Sequence, residues 1–233
     1  MSPSPRRCTR GFTLLELLVA LALLGLIATL VFAGLRLGAR TWEAVDARAE
    51  ALAELRAVHG FVGRALRQGR ALSLTFEDGV HPVFAGDSER LEWVAPLSTH
   101  VGLPGLHLLR LTRERGPRGE VLMLTHWLFH PEVLAGASGT PPWVALADEP
   151  PAPGAPGEEL DLGEGAFGRT LLLAGPMRFE LAYYGTREGE PGPAWHRNWL
   201  GQPRPPRLVR MRLRTAALDW PELVVALADE AAR

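Results

Sequence analysis

Four groups of residues have types and spacings that could do chemistry. The first is a single acid, Glu16, near the head of the apolar run "GFTLLELLVALALLGLIATLVF" (Gly11–Phe32). An acid at the centre of a membrane helix costs roughly 2.5–3.5 kcal/mol, and less near the end. Ionisable residues kept in such segments usually serve a function. The second is His126 and His130, four apart. On a helix they would make a metal pair, but "EVLMLTHWLF" reads as a strand, which sets them roughly 13 Å apart, and no HExxH pattern is present. The third, "DLGEGAFG" (Asp161–Gly168), has acids and glycines without the ligand spacing of an EF-hand. The fourth is an arginine row, Arg210, Arg212 and Arg214. It could meet an acidic partner or nucleic acid; with a formal net charge of −1 the solvated strand face is the better reading, and no nucleic acid is expected.

The remaining histidines, His59, His81, His100, His107 and His196, read as scattered structural or surface groups. There is no GxSxG elbow, phosphate loop or dinucleotide fingerprint. Cys8 is the only cysteine, so neither an internal disulfide nor a cysteine metal cluster can form. All 25 basic residues are arginine, which reads as base composition rather than clustered recognition. The expectation is a chain without catalytic residues, cofactor or metal, and not an enzyme; a membrane-anchored periplasmic enzyme is the alternative from another class.

The elements that place these residues begin with the apolar run. Leu17 to Leu35 are 19 residues without a charge, close to the ~20 a helix needs to cross hydrocarbon. Arg6, Arg7 and Arg10 precede it, a bias that holds the amino end in the cytoplasm and sends the rest across. A removable secretory signal, cut near "VFA" (Val31–Ala33), is the competing reading, but the stretch exceeds the usual ~7–15 apolar residues. A lipoprotein signal fails because Cys8 lies upstream of the run.

Beyond Arg36 the spacing of Trp42, Val45, Ala49, Leu52, Leu55, Val58, Val62 and Leu66 marks one face of a helix. No proline falls between Pro5 and Pro82. The pattern predicts one helix from Phe12 to about Gln68, on the order of 85 Å long. Gly69 suits its carboxyl-terminal cap. From Ala71 the period shortens toward two. Strands are predicted over Leu91–Leu97, Leu106–Glu114, Glu120–Phe129, Arg169–Tyr184 (bent at Gly175-Pro176), Arg207–Ala216 and Pro221–Ala228, the last two paired. Pro131 to Gly168 is dense in proline, glycine and acids and reads as a long loop. The seven tryptophans are expected mostly in the core; an exposed one would hint at an interface.

The stretch Arg10-Gly11-Phe12-Thr13-Leu14-Leu15-Glu16 resembles the processing site of type IV pilins and type II secretion pseudopilins. The resemblance implies that a prepilin peptidase cuts between Gly11 and Phe12 and methylates the new amino terminus at Phe12. Glu16 then becomes the fifth mature residue, an assembly residue that pairs with the free amine of a neighbouring subunit. Along the head, "ERLEWVAPL", "GLPGLHLLRL", "YYG" with Trp195 and Trp199, "PRLVRMRLR" and "WPELVVAL" are similar to the J-type minor pseudopilins. The paired cysteines of major pilins and the calcium loop of major pseudopilins are not seen, whereas the glutamate that the K-type is expected to lack is present. The resemblance implies an α+β fold, a long amino-terminal helix, transmembrane in its first half, packed on an antiparallel sheet head. Residues 1–11 would be a cytoplasmic leader, 12–36 the transmembrane helix, 37–69 its periplasmic continuation and 70–233 the head with loop 131–168. It implies a minor pseudopilin of the inner membrane at the pseudopilus tip, priming assembly. The partners it implies are I-type and K-type minor pseudopilins, the major pseudopilin, the peptidase and secreted cargo. A minor pilin of a type IV pilus or DNA-uptake filament is the alternative within the class.

Overall fold

The computed structural model describes residues 13–76, 79–97, 103–116, 119–136, 139–146, 148, 159–215 and 219–227. The chain divides into two units, one ending at Ala51 and one beginning at Leu52. In the first unit the described residues from Leu14 onward are helical. Helix α1 spans Leu14–Arg67, and its residues Leu14–Arg36 are apolar (mean hydropathy 2.7) and wholly unburied. With leucine and alanine dominating and no proline, propensity and sequence agree on helix throughout.

In the second unit α1 changes character. Leu55, Val58, Val62, Ala65 and Leu66 are buried at three- and four-residue spacing, while Arg56 and Arg64 stay exposed. The helix stops at Arg67, where the Gly69 N–H closes the last turn on the Leu66 carbonyl at 3.0 Å. The Arg70 N–H then bonds the Val94 carbonyl (2.8 Å), turning the chain into the sheet.

The strands are β1 (Ser73–Phe76), β2 (Gly79–Pro82), β3 (Ala85–Gly86), β4 (Arg90–Leu97), β5 (Gly105–Gly116), β6 (Gly119–Leu128), β7 (Leu160–Leu162), β8 (Phe167–Ala174), β9 (Met177–Gly185), β10 (Ala194–His196), β11 (Leu208–Thr215) and β12 (Leu223–Ala226). The described pairings are all antiparallel. They build a six-stranded sheet ordered β3-β4-β5-β6-β8-β7, a four-stranded sheet ordered β10-β9-β11-β12, and the hairpin β1-β2. The fold is α+β, as expected, but the sheet is not single. The run Arg169–Tyr184 is cut at Gly175, whose φ of 118° only glycine adopts readily, and its halves β8 and β9 join different sheets.

Regular structure also lies within the expected loop from Pro131 to Gly168. It contains helix α2 (Pro131–Leu134), strand β7 and the first two residues of β8. Proline at the first helical position has no N–H to lose, so it opens α2 without penalty.

The main core gathers one face of each sheet against α1. Leu91, Trp93, Ala95 and Leu97 of β4 alternate into it, with Leu109 and Leu111 of β5 and Leu122 and Leu124 of β6. From the four-stranded sheet come Phe179, Leu181 and Tyr183 of β9 and Val209, Met211 and Leu213 of β11. The two sheets are stitched by the backbone bridge between Gly86 and Trp199. A Cβ on Gly86 would lie 2.0 Å from the Tyr183 hydroxyl, so the joint closes only over a glycine. A second cluster lies on the opposite face of the six-stranded sheet, where Val94, Leu108 and Trp127 meet Leu134, Trp143 and Phe167.

Candidate functional site

The amino-terminal site is set by how α1 starts. Gly11 and Phe12 lie outside the described residues. Thr13 is the cap: its hydroxyl accepts from the Glu16 N–H (3.3 Å), and its carbonyl accepts from Glu16 (3.1 Å) and Leu17 (3.3 Å). Glu16 therefore stands at the third helical position, in the threonine-x-x-glutamate pattern of a capping box. That signature was present in the sequence, yet Thr13 was not singled out there. A carboxylate in the first turn also faces the positive end of the helix dipole. Glu16 is exposed, with Leu14 (79%) and Leu15 (73%) bare beside it. So much unburied apolar surface is tolerable only against lipid or other helices.

In the second unit a buried polar group stands at a position the sequence analysis did not single out. Glu92 of β4 is 1% exposed and points to the second face of the six-stranded sheet. Arg110, its cross-strand partner on β5, donates to Glu92 Oε2 from Nε (2.8 Å) and Nη2 (2.5 Å). The Trp143 indole N–H donates to the same oxygen at 3.0 Å. Burial pushes the Glu92 carboxyl above the usual range, and the Arg110 charge and the hydrogen bonds from Trp143, Arg110 and the Leu146 backbone oppose that rise. Arg110 also donates to the Val144 carbonyl and lies 5.2 Å over the Trp127 ring, whose own N–H reaches the Pro141 carbonyl (3.0 Å). Together these bonds strap residues 141–146 across the sheet. The sequence marks Leu91–Leu97 as a strand, and an acid at an inward position of that strand is the signal that could have found Glu92.

The other candidate residues are dispersed. His126 is buried in β6, whereas His130 is exposed beyond the strand at the start of α2, so the two do not act together. The neighbour of His126 is His107 of β5, with ring centroids 5.3 Å apart. Burial, and then the His107 charge, lower His126 to about 4, while Asp161 opposes. Among the described residues no group of three or more histidine, cysteine, aspartate or glutamate side chains could hold a metal ion. Trp93, Trp127, Trp143 and Trp199 are buried, as expected of core tryptophans, but Trp42 (72%) and Trp195 (41%) are exposed. Arg210, Arg212 and Arg214 occupy the outer face of the four-stranded sheet, opposite the face that supplies the core.

Residues 6–32 match the prokaryotic N-terminal methylation motif. The chain is 28% identical over 225 residues to type II secretion system protein J of Xanthomonas campestris pv. campestris, covering 93% of this chain and 92% of that protein. The chain thus carries the methylation motif and is similar, along most of its length, to a type II secretion system protein J. Among solved structures, it is similar to a chain in the crystal structure of the GspK-GspI-GspJ complex from the type 2 secretion system of enterotoxigenic Escherichia coli. That match has a TM-score of 0.44 and 17% identity, and covers 76% of this chain and 97% of that one. The residues described above fall into two groups. The motif, with Glu16 inside it, lies on an unburied apolar helix, and the second unit carries the buried network of Glu92, Arg110 and Trp143.

Proposed function

We propose that this chain is a minor pseudopilin of a type II protein secretion machine, a part of the pseudopilus tip complex that primes assembly. One observation carries the reading: an acid held in the first turn of a 23-residue apolar span left unburied by the described residues, within a methylation motif. The arginine leader keeps the amino end in the cytoplasm, residues 12–36 cross the inner membrane, and the head lies in the periplasm. The chain is a substrate of a prepilin peptidase and not itself an enzyme. Cleavage between Gly11 and Phe12 frees an amine at Phe12, which the peptidase methylates.

When such helices pack together, the Glu16 carboxylate leaves water and needs a cation; the terminal amine of a neighbouring subunit supplies it. The pair neutralises both charges and fixes the axial stagger. I-type and K-type minor pseudopilins are the partners in this reading, and the major pseudopilin continues the filament. Mass spectrometry of the mature amino terminus tests it. A chain beginning at N-methylated Phe12 is expected. A terminus near Gly34 would mean ordinary signal cleavage and would remove the amine on which the pairing depends.

A further inference from the structure

The outer face of the four-stranded sheet is built in two unlike halves. Arg212 has Glu180 opposite it on β9, and it donates to Glu222 at 2.5 Å. Arg214 pairs with Asp219 at 2.6 Å. These two charges are answered within the chain. Arg210, on the same face of the same strand, is not. Its cross-strand neighbours are Ala182 on β9 and Val224 on β12, and among the described residues no carboxylate pairs with it. Its guanidinium instead lies 4.4 Å over the ring of Trp195, which leans on Tyr184 with centroids 5.3 Å apart.

Around this cation the surface is apolar. Trp195 is 41% and Val224 47% exposed, and Leu208, beside Tyr184 in the register, is half-buried. A lone cation on a strand normally turns to water or to a neighbouring acid. Here it sits over an indole, and among the described residues no carboxylate takes its N–H groups. Tryptophan, tyrosine and arginine are also the side chains most enriched where binding energy concentrates.

We infer that Trp195, Tyr184, Leu208, Val224 and Arg210 form a docking surface for a protein segment that presents a carboxylate among apolar side chains. The carboxylate takes the Arg210 fork and the apolar groups cover Trp195 and Val224. Charge complementarity selects this occupant: lipid tails or an apolar helix alone would strand the arginine, and a basic segment would be repelled. The inference stands on the head and does not depend on how the amino terminus is processed.

The test is photocrosslinking in cells that make the full chain with benzoylphenylalanine in place of Val224. A protein adduct is expected whose crosslinked peptide contains Asp or Glu beside apolar residues. Its yield should fall at least about tenfold in Arg210→Glu at matched chain levels and return when the partner's acid is changed to arginine. Because Arg210 is not a core residue, the variant should accumulate normally. If it does not, the composition of the parent adduct's peptide decides alone. No adduct, an adduct to lipid, a peptide without an acid, or a yield unchanged within about twofold in Arg210→Glu would each overturn the inference.

Discussion

Replacing Arg110 with methionine leaves Glu92 ionisable, 1% exposed and without its cation. The volume changes little, so the effect is electrostatic. Removing one partner of a buried pair costs about 3–5 kcal/mol, because the surviving charge has neither water nor counter-ion. The Val144 carbonyl loses its donor as well, worth about 1.5–3 kcal/mol for a charged bond, and part of that overlaps with the first figure. The assay is urea unfolding of the full chain in detergent, followed by tryptophan fluorescence. With an m-value of about 2 kcal/mol/M, the midpoint should drop by roughly 1.5–2.5 M. The loss should depend on pH with a definite sign. The Arg110 charge is the largest influence holding the Glu92 pKa down; without it the folded value rises further above the ordinary 4.5. A carboxyl with a raised folded pKa takes up a proton on folding, so the variant loses stability as pH climbs from 4.5 and recovers in acid. Glu92→Gln added to Arg110→Met should restore most of the loss, since the amide oxygen still accepts from Trp143. A penalty under about 1 kcal/mol at pH 7, equal penalties at pH 5 and pH 8, or a double variant as weak as the single would refute the burial argument.

Two further outcomes follow from other groups. His126 has a folded value of about 4 against 6.5 unfolded, so the stability from its neutral form is complete above 6.5 and is lost as pH falls toward 4. Between pH 7 and 4.5 the parent should lose about 2–3 kcal/mol relative to a His126→Leu variant, read as converging urea midpoints. In the membrane, Glu16→Val should insert as well as the parent, by fractionation, yet enter filaments poorly and depress secretion. Unchanged incorporation would count against the pairing of Glu16 with a neighbouring amine.

Much of the fold was legible because two periods dominate it. The three- and four-residue spacing of Leu55, Val58, Val62 and Leu66 had only one helical face to bury, and the alternation of Val209, Met211 and Leu213 had only one side of a strand. Strands β1, β2, β3, β7 and β10 were not foreseen, being two to four residues long, shorter than the window over which alternation can be told from chance. The order inside 131–168 was hidden for another reason. Its helix is one turn, and residues 141–146 are held by side-chain bonds to distant strands rather than by a local pattern.

The start of α1 follows from local chemistry, so it could be read without the fold. An uncharged run and one acid three residues after a threonine set the helix start and the placement of its charge without any distant contact. Which of several similar residues stand together needed the folded chain: Glu92 with Arg110 and Trp143 across 18 and 51 residues of chain, and Arg210 with Trp195 where, among the described residues, no carboxylate pairs with it. Sheet order decides those meetings. Pairing β9 with both β10 and β11 puts Trp195 beside Arg210, a consequence of register that no property of either strand alone specifies.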